Sequence, residues 1–338
     1  MSRIQDSGWR IEGKVVAHWA PFALLLLTSP LAGQTQGSLP QGSALAPHSS
    51  ILNPSYTPHR VYDTHHKRFI DFEILAATLA AADLVFVGEE HDDPGTHRME
   101  LAILEGVARR RDSVTVALEM FERDVQPLLD RYLAGRATEE ELITGARPWK
   151  NYSADYRPLV ELARARGWPV LASNAPRPLA SLVARAGLAG LDTVAESMRP
   201  NAAAQLDCPE NDEYHKKFAA VMGDMSAHGP SAAGDDGRTR LSRMYQAQCL
   251  KDETMGESAA RAWRPGRLVV HYNGSFHSDF RLGTAARALK RTNHATMIVV
   301  TAIPVTNLDD LAPSKQDRKR ADFLMYVLGP AKADSASR

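Results

Sequence analysis

The chain has 338 residues, 40 Lys+Arg against 40 Asp+Glu, 44% hydrophobic and 24% charged residues. That composition describes a globular protein with a sizeable core and excludes a coiled coil or a disordered chain. Zero net charge removes the general electrostatic case for a nucleic-acid partner, and two cysteines cannot form a four-thiolate zinc site.

At the start, Arg3, Arg10 and Lys14 precede the apolar run Ala20–Leu27 and then Pro30-Leu31-Ala32-Gly33. The run is about half the length of a membrane-spanning helix, so 1–33 reads as a secretory signal peptide. Cleavage there removes three basic and two acidic residues and leaves 37 against 38. No cysteine follows the run to carry a lipid anchor, so the expected location is periplasmic or secreted. Residues 34–59, rich in Gly, Ser, Pro and Gln, read as a flexible linker. A prior of roughly 150 residues per domain suggests two domains. Without leader and linker, 60–330 reads as one domain, and 331–338 as a disordered tail.

Short apolar runs then alternate with helical stretches. Residues 83–88 read as a strand and Pro94–Arg110 as a helix capped by Asp93 ahead of a first-turn proline. Val114–Leu118 is a second strand. Helices over 125–134 and 139–144 follow, the latter opened by the capping box Thr138 and Glu141. A helix over 155–167 leads into a third strand, 169–173; Leu268–Tyr272, Met297–Thr301 and Phe323–Val327 supply three more. Continuous apolar strands predict an α/β fold, a mostly parallel sheet covered by helices on both faces. Between the third and fourth of these strands, about 179–263 reads as a helical insertion. Cys208 and Cys249 lie within it. In an oxidising compartment they either pair, adding ~4 kcal/mol by closing a loop of about 42 residues, or remain two buried thiols.

Ligands bind beyond the carboxyl ends of the strands in open α/β sheets. Here those ends carry Glu89 and His91, Glu119, Asn174 with Arg177, and His277. Each alone has a plain account as a cap, turn former or loop histidine. Together they place two carboxylates and two imidazoles at one edge, chemistry suited to a divalent metal ion or to general acid–base catalysis.

The run Val87-Gly88-Glu89-Glu90-His91-Asp92-Asp93-Pro94 resembles the motif that opens ChaN-like haem-binding proteins, in the superfamily that includes Tiki-type proteases. The resemblance continues through Leu118-Glu119-Met120-Phe121, Trp149 with Tyr152 and Tyr156, Ser173-Asn174-Ala175-Pro176-Arg177, Gln248–Met255 and Gly274-x-x-His277. It implies an α/β core with a helical portion, and haem binding or haem-iron uptake at the cell envelope. It also implies that Glu89, His91, Glu119 and His277 match superfamily positions that support metal-dependent hydrolysis in Tiki-like members. Haem is thus the expected cofactor and partner, with a divalent metal ion as the alternative. A homodimer and envelope haem-uptake components are further expected partners. Haem needs an apolar slot and an axial His, Tyr, Met or Cys. In the insertion, Tyr214, His215, His228 and Tyr245 are the candidate ligands, and Gln248 and Asp252 stand out as polar members of an otherwise apolar helix stripe.

Overall fold

Continuous apolar runs become strands of a single sheet in the computed structural model, which describes residues 57–226 and 237–329. An N-terminal hairpin, β1 (His59–Asp63) and β2 (Arg68–Ile70), precedes β3 (Leu84–Glu89), β4 (Val114–Glu122) and β5 (Val170–Asn174). Then come β6 (Leu268–Gly274), β7 (Met297–Val305) and β8 (Phe323–Leu328). The first group of helices is α1 (Phe72–Ala80), α2 (Pro94–Ala108), α3 (Gln126–Leu133), α4 (Glu139–Ala146) and α5 (Arg157–Ala165). The second is α6 (Arg177–Ala186), α7 (Glu213–Ser226), α8 (Gly237–Ala262), α9 (Gly283–Arg291) and α10 (Asp317–Arg320). These elements belong to one compact unit, Ser55–Arg338. The expected leader, the linker through residue 56 and the expected tail lie outside the described residues.

The sheet order is β2-β1-β8-β7-β3-β6-β4-β5. From β8 to β5 every pairing is parallel, and β1 runs antiparallel to both its neighbours. The α/β reading therefore holds. Alternation within each run explains the two covered faces. Val85 and Val87 join Leu75, Ile103 and Val107 on one side, while Leu84 and Phe86 meet Ala259, Ala285 and Ala288 on the other. Each such Val or Leu contributes about 1.5–3 kcal/mol on burial.

Two features depart from the expected pattern. The hairpin β1–β2 was not marked by an apolar run, because β2 has only three residues and a half-exposed face. Strand β4 does not stop at Glu119 but continues to Glu122, with a register shift against β5 between Leu118 and Glu122. Such a bulge re-aims side chains, and here Glu119 sits within it. The outer edge of β5 is closed by one side chain. Gln126 donates to the Val170 carbonyl at 2.9 Å and accepts from the Ala172 N–H at 2.7 Å, as a neighbouring strand would.

Both expected caps form. Asp93 accepts from the Thr96 N–H at 2.7 Å, and Thr138 and Glu141 satisfy each other's backbone N–H. Between β5 and β6 the chain runs through α6, α7 and α8 with no strand among the described residues. Of the two alternatives for the cysteines, pairing is the one realised. Cys208 and Cys249 are bonded, with Cα atoms 5.8 Å apart. Successive connections leave β3 toward β4 and return to set β6 and β7 on its two sides. That reversal opens a crevice at the carboxyl ends of β3, β6 and β4.

Candidate functional site

Glu89, the last residue of β3, is buried and accepts from His91 Nδ1 at 2.6 Å and from the Tyr156 hydroxyl at 2.5 Å, both on Oε1. Tyr156 reaches it because the chain forms a π-helical turn, Tyr152–Tyr156, just before α5. His91 is the open member of the pair. Its side chain is 43% exposed and stands edge-on to Trp149, with ring centres 4.5 Å apart. Burial lowers its pKa, but Glu89 and Glu119 outweigh that and raise it.

A second pair faces this one. His277, in the turn just beyond β6, places Nε2 3.2 Å from Glu119 Oε1 and donates from Nδ1 to Asp252 Oδ1 at 2.7 Å. Burial opposes its charge, yet Glu119 and Asp252 push its pKa up to about 10. Glu119 is held well below the usual carboxylate range, since the charge on His277 outweighs its burial. Its Oε2 also accepts the Gly274 N–H at 2.8 Å. Gly274 is required where the two pairs meet. A Cβ there would lie 2.7 Å from His91 Cε1 and 3.7 Å from Glu119 Oε2.

The four strand-end residues predicted from sequence are therefore brought together as two acid–imidazole pairs. Behind them Asp252 accepts from three donors: His277, Thr284 at 2.8 Å and the Tyr214 hydroxyl at 2.5 Å. Gln248 Nε2 lies 3.3 Å from the Tyr214 oxygen and 3.4 Å from the His277 ring nitrogens. Asn174 acts on the backbone, donating to the Glu119 carbonyl at 3.1 Å. Tyr245 and His215 sit one aromatic layer farther out. The Tyr245 hydroxyl donates to the Pro209 carbonyl at 2.9 Å, and His215 packs edge-on against its ring. Arg177 points away, 70% exposed and 3.8 Å from Glu122. His228 lies outside the described residues.

Beneath His91 is a cluster that strand-end reasoning missed. His97 and Glu100, both on α2 and both buried, join Glu89. His97 Nδ1 is 2.8 Å from Glu100 Oε2 and 3.3 Å from Glu89 Oε2. Its Nε2 donates to the His91 carbonyl at 3.0 Å. Burial and the neighbouring charge of Glu89 hold Glu100 well above the usual carboxylate range. The signal was present: Glu100, Ile103 and Val107 fall on one helical face, so a carboxylate stood on the core stripe of α2. Among the described residues this is the group of three whose ligand atoms come within 4.8 Å of one another and could hold a metal ion.

Beside the pairs, between α7 and residues 275–282, lies a cavity of about 340 Å³. Val221, Phe276, Phe280 and Leu282 give it apolar walls, Tyr214 is at its inner side, and Lys217 and Arg320 add cationic groups. Phe280 and Arg281 both adopt left-handed backbone, φ 62° and 58°, which costs about 1–3 kcal/mol each. Asp279 anchors the strained turn by accepting from Thr301 at 2.7 Å and from Arg320 at 2.6 Å.

Comparison with known proteins follows the same lines. The family described as haem-binding uptake, Tiki superfamily, ChaN matches residues 75–288. Among solved structures, ChaN of Campylobacter jejuni, described for its cofacial haem binding, is similar with a TM-score of 0.58 and 17% identity. The match covers 80% of this chain and 97% of that one. An erythromycin esterase EreC variant in its open conformation is similar at a TM-score of 0.42 and 13% identity, over 80% of this chain and 83% of that one. The toxin effector domain RRSP from Vibrio vulnificus CMCP6 gives 0.34 and 19%, over 61% and 30%. No curated protein matches the chain. The chain belongs to the haem-binding uptake family of ChaN, within the Tiki superfamily.

Proposed function

We propose that this chain binds haem in the cavity between α7 and residues 275–282, as an exported protein serving haem-iron uptake at the cell envelope. The observation that carries the reading is the lining of that cavity. Val221 is 52% exposed at its mouth, an apolar surface that a flat porphyrin face would cover. Phe276, Phe280 and Leu282 form the opposing wall, and Lys217 and Arg320 are suited to the propionates. Tyr214 lines the inner side with its ring, while its hydroxyl is held by Asp252. Bound haem would supply an iron centre for carriage, while the protein's part is to bind, orient and shield the ring. The disulfide supports an oxidising, extracytoplasmic compartment. A second copy of the chain and envelope uptake components are the proposed partners.

Hemin titrated into the purified protein should give a saturable Soret shift at about one haem per chain. Val221→Glu should weaken it at least tenfold. Absence of a saturable shift at micromolar hemin overturns the reading.

A second reading rests on a separate observation. His91 is open to solvent while Glu89 fixes its Nδ1, which leaves Nε2 directed toward the crevice, the arrangement of a general base. His277, held charged by Glu119 and Asp252, would stabilise negative charge developing opposite. That reading is hydrolysis of an ester or peptide, and it requires turnover that His91→Asn abolishes.

A further inference from the structure

We propose that Glu89, His97 and Glu100 form a buried binding site for a divalent transition-metal ion, sharing Glu89 with the first strand-end pair and separate from the haem cavity. The ligand atoms are already at suitable separations. An ion bonded to N and O ligands at about 2.1 Å places neighbouring ligands about 3.0–3.4 Å apart. His97 Nδ1 lies 2.8 Å from Glu100 Oε2 and 3.3 Å from Glu89 Oε2.

Two further observations point to a ligand. Glu89 Oε2 and Glu100 Oε1 accept no hydrogen bond, although their side chains are 1% and 0% exposed. Buried carboxylate oxygens left without a hydrogen bond are costly, and an ion would satisfy them. The surroundings of the cluster are also those of a ligating set. The partner of His97 Nε2 is a carbonyl, which can only accept, so Nε2 keeps its proton, and the ion would displace the Nδ1 proton that faces the carboxylates. Glu89 Oε1 is oriented by Tyr156 and His91, leaving Oε2 for the ion.

Charge balance agrees. Two carboxylates and a neutral imidazole around a divalent cation sum to zero, so no net charge is buried. One nitrogen and carboxylate oxygens suit Zn²⁺, Mn²⁺ or Fe²⁺ rather than a soft ion that prefers thiolate.

The full-length protein, stripped with chelator, would be equilibrated with Zn²⁺ or Mn²⁺ and desalted, and its metal measured by mass spectrometry without haem present. About one ion per chain is expected in the native protein and in His277→Gln, with at least a tenfold loss in His97→Gln and Glu100→Gln. An apo native protein, or loss in His277→Gln with retention in the two α2 variants, overturns the proposal. If the α2 variants do not fold, X-ray absorption on the zinc-loaded native protein decides. One imidazole with oxygen ligands supports the site, and two or more imidazoles refute it. Hemin binding can fail or succeed independently of either result.

Discussion

His277 Nδ1 donates to Asp252 Oδ1 across 2.7 Å, tying the turn after β6 to the middle of α8. The contact is fully buried on the Asp252 side, and Thr284 and Tyr214 donate to the same carboxylate, so that both its oxygens are hydrogen-bonded. A group so placed positions the imidazole and sustains its charge. Asp252→Asn keeps the size and one acceptor but removes the charge. The variant should lose about 3–5 kcal/mol in chemical denaturation, the usual cost of leaving one member of a buried pair alone. The His277 pKa should also fall toward that of ordinary histidine, read from its imidazole resonances by NMR. An unchanged titration would mean that Glu119 alone sets the charge.

Gly274 offers a steric test of the meeting of the two pairs. Its added Cβ would come within 2.8 Å of His91 Nε2, and that ring can yield only by moving outward, since its other nitrogen is held by Glu89. Gly274→Ala should displace His91 and cost about 1–3 kcal/mol, as overpacking does. The displaced ring should react faster with diethyl pyrocarbonate. A native-like rate would show that the crevice has room to spare.

Much of this was legible in the residues. Continuous apolar strands predicted the parallel sheet, and polar residues after Val87, Leu118, Ser173 and Tyr272 predicted where a crevice would form. The short hairpin β2 was not legible, because three half-exposed residues carry no periodic signal. Nor was the bulge that carries Glu119, since register is set by pairing rather than by local composition. Sequence marked Gln248 and Asp252 as unusual on an apolar stripe, but their partners come from the turn after β6, from α9 and from α7, brought near only by the fold. Arg177 illustrates the opposite limit. It comes three residues after Asn174 at the same strand end, yet helix α6 begins at it and turns it outward to Glu122.

The disulfide fastens α8 to the segment before α7. Tyr245 on α8 donates to the Pro209 carbonyl, one residue beyond Cys208, so the covalent and hydrogen-bonded links act at the same place. Replacing both cysteines by serine should cost about 2–5 kcal/mol. The effect should appear as a lower denaturation midpoint and as faster proteolysis between 200 and 213 than in the native protein. Equal midpoints with and without reductant would remove the disulfide from the account of how the site is held.

The pH dependence of stability follows from the same imidazolium. His277 has the ordinary histidine value of 6.5 when unfolded, and Glu119 and Asp252 push it up to about 10 when folded. A folded-state pKa raised above the unfolded one means that the folded protein binds the extra proton across that interval. Its contribution is complete below pH 6.5 and disappears as pH rises through 10. Denaturation midpoints should accordingly decline between those limits, most steeply where only the folded form still holds the proton. His97, whose pKa Glu100 and Glu89 raise against burial, adds a decline of the same sign, so the native slope alone does not isolate His277. Comparison with His277→Gln does. That variant should be less stable near neutrality, and the gap to the native protein should narrow steadily as the solution becomes alkaline. A gap that stays constant from pH 7 to pH 10 would show that His277 is not charged in the folded protein.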